Sequence, residues 1–275
     1  MSAQVGEPTL DAALVAALDR AAASGTLLVA CDYDGTLAPI VDDPDRAAPL
    51  LGAIDALADL AALPATWVSL VSGRSLDALV ALACPPRAIG LIGSHGAERV
   101  APAGAADREA GHDPAGLPRP PHDEAAQLLK ELVAEVGAEV ALVPGSRIET
   151  KPVGVAFHYR LADPVAGARA ADALIERLAN RPGVHVRTGK MVAEFAVAGA
   201  NKGEALKALI DQTEPDVTVF VGDDVTDEDG LAVLGDADIG IKVGSEVTAA
   251  THRVASPDEV LAVLARLIQH RSLRG

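Results

Sequence analysis

The chain has 275 residues, a formal net charge of −16, and 49% hydrophobic against 23% charged residues. That length and apolar content support a buried core without disulfide staples, and the acidity excludes nucleic acid and anionic membrane surfaces as partners. Only 2% of residues are aromatic, so the core is aliphatic and no platform for stacked bases is available. Cys31 and Cys84, the two cysteines, are too few for a disulfide framework or a structural zinc site and read as small buried apolar residues. Residues 1–8 lack a basic start followed by an apolar stretch, and no apolar run is long enough to span a bilayer. The expectation is a cytoplasmic protein.

Residues 10–23 have apolar positions at helical spacing, and TLLVAC at 26–31 is a short buried strand. Leu50, Leu51, Ile54, Leu57 and Leu60 mark a helix face, TWVSLV at 66–71 a second strand, and Ser75 caps a helix to about Ala83. Residues 89–92 read as a third strand. Residues 101–124, with five prolines and three glycines, read as a linker or long loop. A helix over 124–136, strands at 147–149 and 153–159, a helix opened by Asp163-Pro164, and strands at 184–187 and 192–197 then describe a small sheet carrying two helices. From Asn201 the first pattern resumes: helix 202–210, strand 217–221, helix 227–234, strand 239–243, helix 257–269. Alternating strands and helices imply a parallel sheet covered on both faces. The expected architecture is an α/β, Rossmann-like core in two segments, 1–103 and 200–275, interrupted by a smaller α+β cap at 104–199.

Four polar clusters follow predicted strands or open a helix, at the strand carboxyl ends where open α/β sheets bind ligands. Asp32 and Asp34, in DYDGT after TLLVAC, are two carboxylates whose repulsion requires a divalent cation, a shared proton, or both. Ser72-Gly73-Arg74 offers a hydroxyl and a backbone N–H for a phosphate oxygen, or simply a helix cap. Lys202, in Asn201-Lys202-Gly203, adds an ammonium to a helix N-terminus. The acidic run Gly222-Asp223-Asp224-Val225-Thr226-Asp227-Glu228 reads as oxygen ligation of a hard cation, with Mg²⁺ favoured, or as an acidic helix start.

Taken in order, DxDGT, Ser-Gly, Lys and GDDxxD resemble the haloacid dehalogenase superfamily of aspartyl phosphohydrolases, and the resemblance covers the whole chain. It implies that Asp32 is a nucleophile and Asp34 a general acid and base. It further implies that Asp32, Asp34 and Asp223 hold Mg²⁺, that Thr36, Ser72, Gly73 and Lys202 bind phosphate, and that Asp224 and Asp227 orient Lys202 or metal-bound waters. Within the insert, ETK…HYR at 149–160 and GKMVAEF at 189–195, together with DYDGTLAPI, GSHGAE and GDDVTDE in the core, are similar to trehalose-6-phosphate phosphatases. That resemblance implies hydrolysis of trehalose 6-phosphate by a cap that closes over its substrate, with Glu149, Lys151 and Glu194 on the sugar and His158 and Arg160 assisting. His95 reads equally as a residue facing the cleft or a structural histidine. The alternatives are a phosphatase for sucrose phosphate or mannosyl-3-phosphoglycerate, a phosphomutase, and a phospho-accepting signalling or sugar-phosphate sensor module without turnover. The expected partner is a small-molecule sugar phosphate, handled by a monomer.

Overall fold

The computed structural model describes residues 10–105, 123–151, 153–197 and 201–273. These fall into two compact units, one formed by 10–105 with 201–273 and the other by 123–197. Most of the proline-rich stretch expected as a linker, 106–122, lies outside the described residues.

In chain order the first unit begins α1 (Ala12–Ala22), β1 (Leu27–Asp32), α2 (Ala53–Ala62), β2 (Thr66–Val71), α3 (Leu76–Ala83), β3 (Gly90–Gly93) and β4 (Glu98–Val100). The second unit contributes α4 (Asp123–Val140), β5 (Arg147–Lys151), β6 (Gly154–His158), α5 (Pro164–Leu178), β7 (His185–Gly189) and β8 (Val192–Ala196). The first unit then resumes with α6 (Lys202–Thr213), β9 (Val217–Gly222), α7 (Val225–Leu231), β10 (Ile239–Val243), β11 (His252–Val254) and α8 (Pro257–Ser272).

Seven strands of the first unit form one sheet in the order β11-β10-β9-β1-β2-β3-β4. Every pairing is parallel except β3 with β4, which is antiparallel. The sheet is therefore mixed rather than wholly parallel: Gly93 pairs with Glu98 across a single turn, too short for the crossover that a parallel partner needs. The continuously apolar strands have a direct cause. Alternate residues of β1 feed opposite sides: Leu27, Val29 and Cys31 join the cluster with α1, α2 and α8, while Leu28 and Ala30 join Leu206, Leu209 and Leu231 of α6 and α7.

At the amino edge of this sheet Arg271, 5% exposed, donates from α8 to Thr66 Oγ1 (2.5 Å) and to the carbonyls of Ala22, Ser24, Gly25, Pro64 and Ala65. The guanidinium thereby satisfies turn carbonyls preceding both β1 and β2. The carboxyl edge is left for polar side chains.

The second unit is a four-stranded antiparallel sheet, β5-β6-β8-β7. Val155, Phe157 and Phe195 are fully buried, as are Leu132 and Val136 of α4 and Leu174 of α5. Asp163 caps α5 through a 2.9 Å bond from Ala166 N, with Pro164 at the first helical position, as its sequence predicts. No helix among the described residues is long and apolar enough to cross a membrane.

Candidate active site

Asp32 is the last residue of β1 and is 3% exposed. Lys202, at the first position of α6, is equally buried, and its Nζ donates to Asp32 Oδ1 (2.6 Å) and Asp227 Oδ1 (2.7 Å). Asn201 sets that position: its side chain caps α6 by accepting from Gly203 N (2.6 Å) and Glu204 N (3.2 Å). Asp227 is wholly buried, and its Oδ2 accepts from the backbone N–H groups of Asp223 (3.1 Å) and Asp224 (3.0 Å). With all of those bonds made, Asp227 serves to orient Lys202 and the acidic loop. Asp224 does something else: it is exposed and caps α7, accepting from Val225 N at 2.7 Å.

Carboxylate oxygens of Asp32, Asp223 and Asp227 lie within 4.8 Å of one another. Three carboxylates therefore face one ammonium, an excess that a divalent cation offsets. Burial, reinforced by the charge of Asp227, raises the Asp32 pKa well above the usual carboxylate range. Burial and the charges of Asp227 and Asp224 push Asp223 up to about 7. Burial works against the Lys202 ammonium, but Asp227 and Asp32 outweigh it and raise that pKa. Asp223 Oδ1 is buried and accepts no hydrogen bond, as is the Thr36 hydroxyl. An oxygen-only set with one orphaned carboxylate oxygen fits a hard cation such as Mg²⁺, held by Asp32 and Asp223. Gly35, with φ +81°, makes this approach possible: a methyl there would overlap the Asp223 carboxylate.

The acidic pair of DYDGT divides. Asp34 does not share the Asp32 environment; both its oxygens accept from Arg74, Oδ2 from Nε at 2.6 Å and Oδ1 from Nη2 at 2.7 Å. In this structure each aspartate meets its own side-chain cation, Lys202 for Asp32 and Arg74 for Asp34. Ser72 is buried at the end of the β2 turn, and its Oγ accepts from Arg74 N (3.1 Å). Gly73 lies against the His95 imidazole, with Cε1 only 2.5 Å from where a Cβ would stand. Ser94 and His95 both have positive φ, 48° and 54°. Their N–H groups bond to the carbonyls of Arg74 (2.6 Å) and Ser72 (3.0 Å), so this strained turn pins the Ser-Gly-Arg turn from beneath. Buried Glu98 locks it, accepting from Ser94 Oγ (2.6 Å) and from Leu76 N at the start of α3 (3.2 Å). His95 is thus built into the scaffold.

In the second unit, strand register places Glu149 opposite Ala156, Ala156 opposite Glu194, and Glu194 opposite Arg187. Arg147, Lys151, His158 and His185 lie on the same face at neighbouring positions. Lys151 Nζ pairs with Glu194 Oε1 at 3.0 Å, and His158 Nε2 with Glu149 Oε2 at 2.7 Å. The His158 hydrogen bond lowers the Glu149 pKa, with burial acting in the opposite sense. Arg160 lies past the end of β6 and donates to the Lys190 carbonyl (3.4 Å) in the β7–β8 turn.

Four residues had no role assigned in the sequence: Arg74, Glu98, Arg187 and Lys242. Lys242 is 1% exposed on β10, 3.2 Å from Glu228 Oε1 and 3.3 Å from the Asp224 carbonyl, where it braces the acidic loop. A lone lysine inside the apolar strand IGIKV was a readable signal of a buried cation with a partner.

Fold and site together define a haloacid dehalogenase-like fold: an α/β sheet with an acidic pair beginning at the last residue of β1, a lysine opening α6 and an acidic loop after β9, all at one edge. A haloacid dehalogenase-like hydrolase from B. subtilis shares this fold, with a TM-score of 0.58, 17% identity, and coverage of 88% of this chain and 99% of that one. The chain belongs to the trehalose-phosphatase family, whose model matches residues 30–260. It is 36% identical to a bifunctional trehalose-6-phosphate synthase/phosphatase of Thermoproteus tenax over 87% of this chain and 32% of that protein. It is 35% identical to the trehalose-phosphate phosphatase of Mycobacterium ulcerans over 89% of this chain. The chain thus spans about a third of the first relative and 62% of the second. The trehalose-6-phosphate phosphatase C-terminal domain of C. albicans superposes with a TM-score of 0.76 at 26% identity, covering 97% and 99% of the two chains.

Proposed function

We propose that this protein hydrolyses trehalose 6-phosphate to trehalose and phosphate through an aspartyl-phosphate on Asp32. The observation that carries this reading is the gathering of buried Asp32, Asp227 and Lys202 with half-buried Asp223 at one sheet edge. The Asp32 oxygen not engaged by Lys202 attacks phosphorus as the ester P–O bond breaks, and Asp34 gives its proton to the departing sugar oxygen. Asp34 then accepts a proton from water, which attacks phosphorus and releases Asp32. Lys202, Ser72, Thr36 and the Gly73 N–H receive the phosphate oxygens as charge shifts among them. Mg²⁺, held by Asp32, Asp223 and the Asp34 carbonyl, would lower the repulsion between an anionic nucleophile and an anionic substrate.

Sugar recognition is assigned to the cap at 104–199, through Glu149, Lys151, Glu194, His158 and Arg160. Alternating carboxylates and cations on one strand face pair well with adjacent hydroxyls. The unbridged thiols, Cys31 buried as expected and Cys84 exposed rather than buried, suit a cytoplasmic setting. The test is phosphate release from trehalose 6-phosphate with and without Mg²⁺, in the parent and in Asp32→Asn. Metal-dependent release by the parent and none by the variant is expected; turnover surviving in Asp32→Asn removes the nucleophile. A panel with sucrose phosphate and mannosyl-3-phosphoglycerate checks the sugar.

A further inference from the structure

We propose that Arg74 is the positioning residue for proton transfer, holding the Asp34 carboxylate between its two roles; this rests on the phosphatase reading above. The fork takes both Asp34 oxygens at 2.6 and 2.7 Å. It is itself held at its backbone: Arg74 N donates to Ser72 Oγ (3.1 Å), and Arg74 O accepts from Ser94 N (2.6 Å). The guanidinium lies over the Tyr33 ring, 5.9 Å from its centroid, and that ring is fixed by a 2.7 Å bond from its hydroxyl to the Ala47 carbonyl. The guanidinium side chain is 14% exposed and the Asp34 side chain 33%. A two-point fork on a rigid mount fixes a carboxylate in angle as well as distance.

Each Asp34 oxygen spends one lone pair on the fork, so the direction of its remaining lone pairs, on which the transferred proton sits, is set by Arg74. In the first half-reaction the Asp34 O–H proton passes to the leaving sugar oxygen as its bond to phosphorus breaks, and the carboxylate so formed is received by Arg74. In the second half-reaction the same carboxylate takes a proton from the attacking water as the bond from phosphorus to Asp32 breaks. Arg74 thus acts through Asp34 and not on phosphate. Because Ser72 and Arg74 share one turn, phosphate contact and acid placement are set by a single backbone segment.

The test uses leaving groups. An alkoxide needs the proton, whereas p-nitrophenolate departs without it. Arg74→Met should lower kcat for trehalose 6-phosphate at least about 30-fold with KM within about threefold, while single-turnover release of p-nitrophenolate from p-nitrophenyl phosphate falls far less. Arg74→Lys, which keeps the charge and loses the fork, should recover part of the loss; its thermal unfolding reports folding independently. In an Asp34→Asn background, Arg74→Met should add no further loss. Equal falls on both substrates, a rise in KM in place of the fall in kcat, or multiplicative losses in the double variant would each overturn the proposal. A parent inactive on trehalose 6-phosphate instead refutes the substrate assignment alone, and the leaving-group contrast is then read on glucose 6-phosphate against p-nitrophenyl phosphate.

Discussion

Removing the metal should make the stability of the first unit fall as pH rises, the reverse of the usual behaviour of paired carboxylates. Asp223 is pushed from 3.8 up to about 7 by burial and by Asp227 and Asp224. The metal-free folded state therefore holds a proton that the unfolded chain has already released, and stability declines with pH until the folded group also ionises. Each pH unit well inside that window is worth about 1.4 kcal/mol and the slope halves at the folded pKa, so between about pH 5 and about pH 7 the loss is about 2 kcal/mol. Asp32 is raised by the same causes and acts in the same direction. Roughly 2 kcal/mol corresponds to a fall of about 4–8 °C in Tm for a domain of this size. Thermal unfolding in a chelator across that pH range measures it, and Mg²⁺ should restore Tm most at the alkaline end, where no proton has to be displaced. Asp223→Asn should flatten the slope. A metal-free Tm that rises with pH, or an unchanged slope in Asp223→Asn, would refute the reasoning.

Three further expectations follow from particular contacts. Gly35→Ala places a methyl in the space of the Asp223 carboxylate at φ +81°, so kcat/KM should fall at least about 100-fold; retention within about threefold would show that the approach is not needed. Arg271→Met leaves buried turn carbonyls without a donor and should cost about 3–5 kcal/mol, read as a Tm drop of roughly 10 °C with KM unchanged. Glu149→Ala should reduce kcat/KM for trehalose 6-phosphate about 10- to 100-fold yet barely alter turnover of an aryl phosphate, since its carboxylate lies in the cap row; equal losses on both would remove the cap assignment.

What could be read from the chain follows from range. DYDGT, Lys202 and GDDVTDE were legible because each follows or opens an apolar segment whose length marks it, so strand ends located the chemistry. The three-residue strands β4 and β11 were invisible, being too short to show a period. Asn201 announced its cap, but the pairing of Arg74 with Asp34 spans 40 residues and leaves no trace in spacing. Ser94 and His95 adopt left-handed backbone without glycine, which no local preference announces. Glu149 and Glu194 were placed on strands correctly, Lys151 fell two residues past the expected strand end although β5 runs on through it, and Arg187 was missed because its place in the row depends on the register between β7 and β8.

The strand order also dictates a schedule for biosynthesis. β1 pairs on one side with β2 and on the other with β9, and Thr26 bonds to Asp216 across 190 positions. A nascent chain emerging from the ribosome therefore carries β1 with one edge bare until roughly 190 further residues have been added. The Arg271 clasp arrives later still, bridging as many as 249 positions. The intervening sheet of β5 to β8 finds all its strand partners within itself, so it can mature first, while the half-built core carries an unpaired strand edge through that interval.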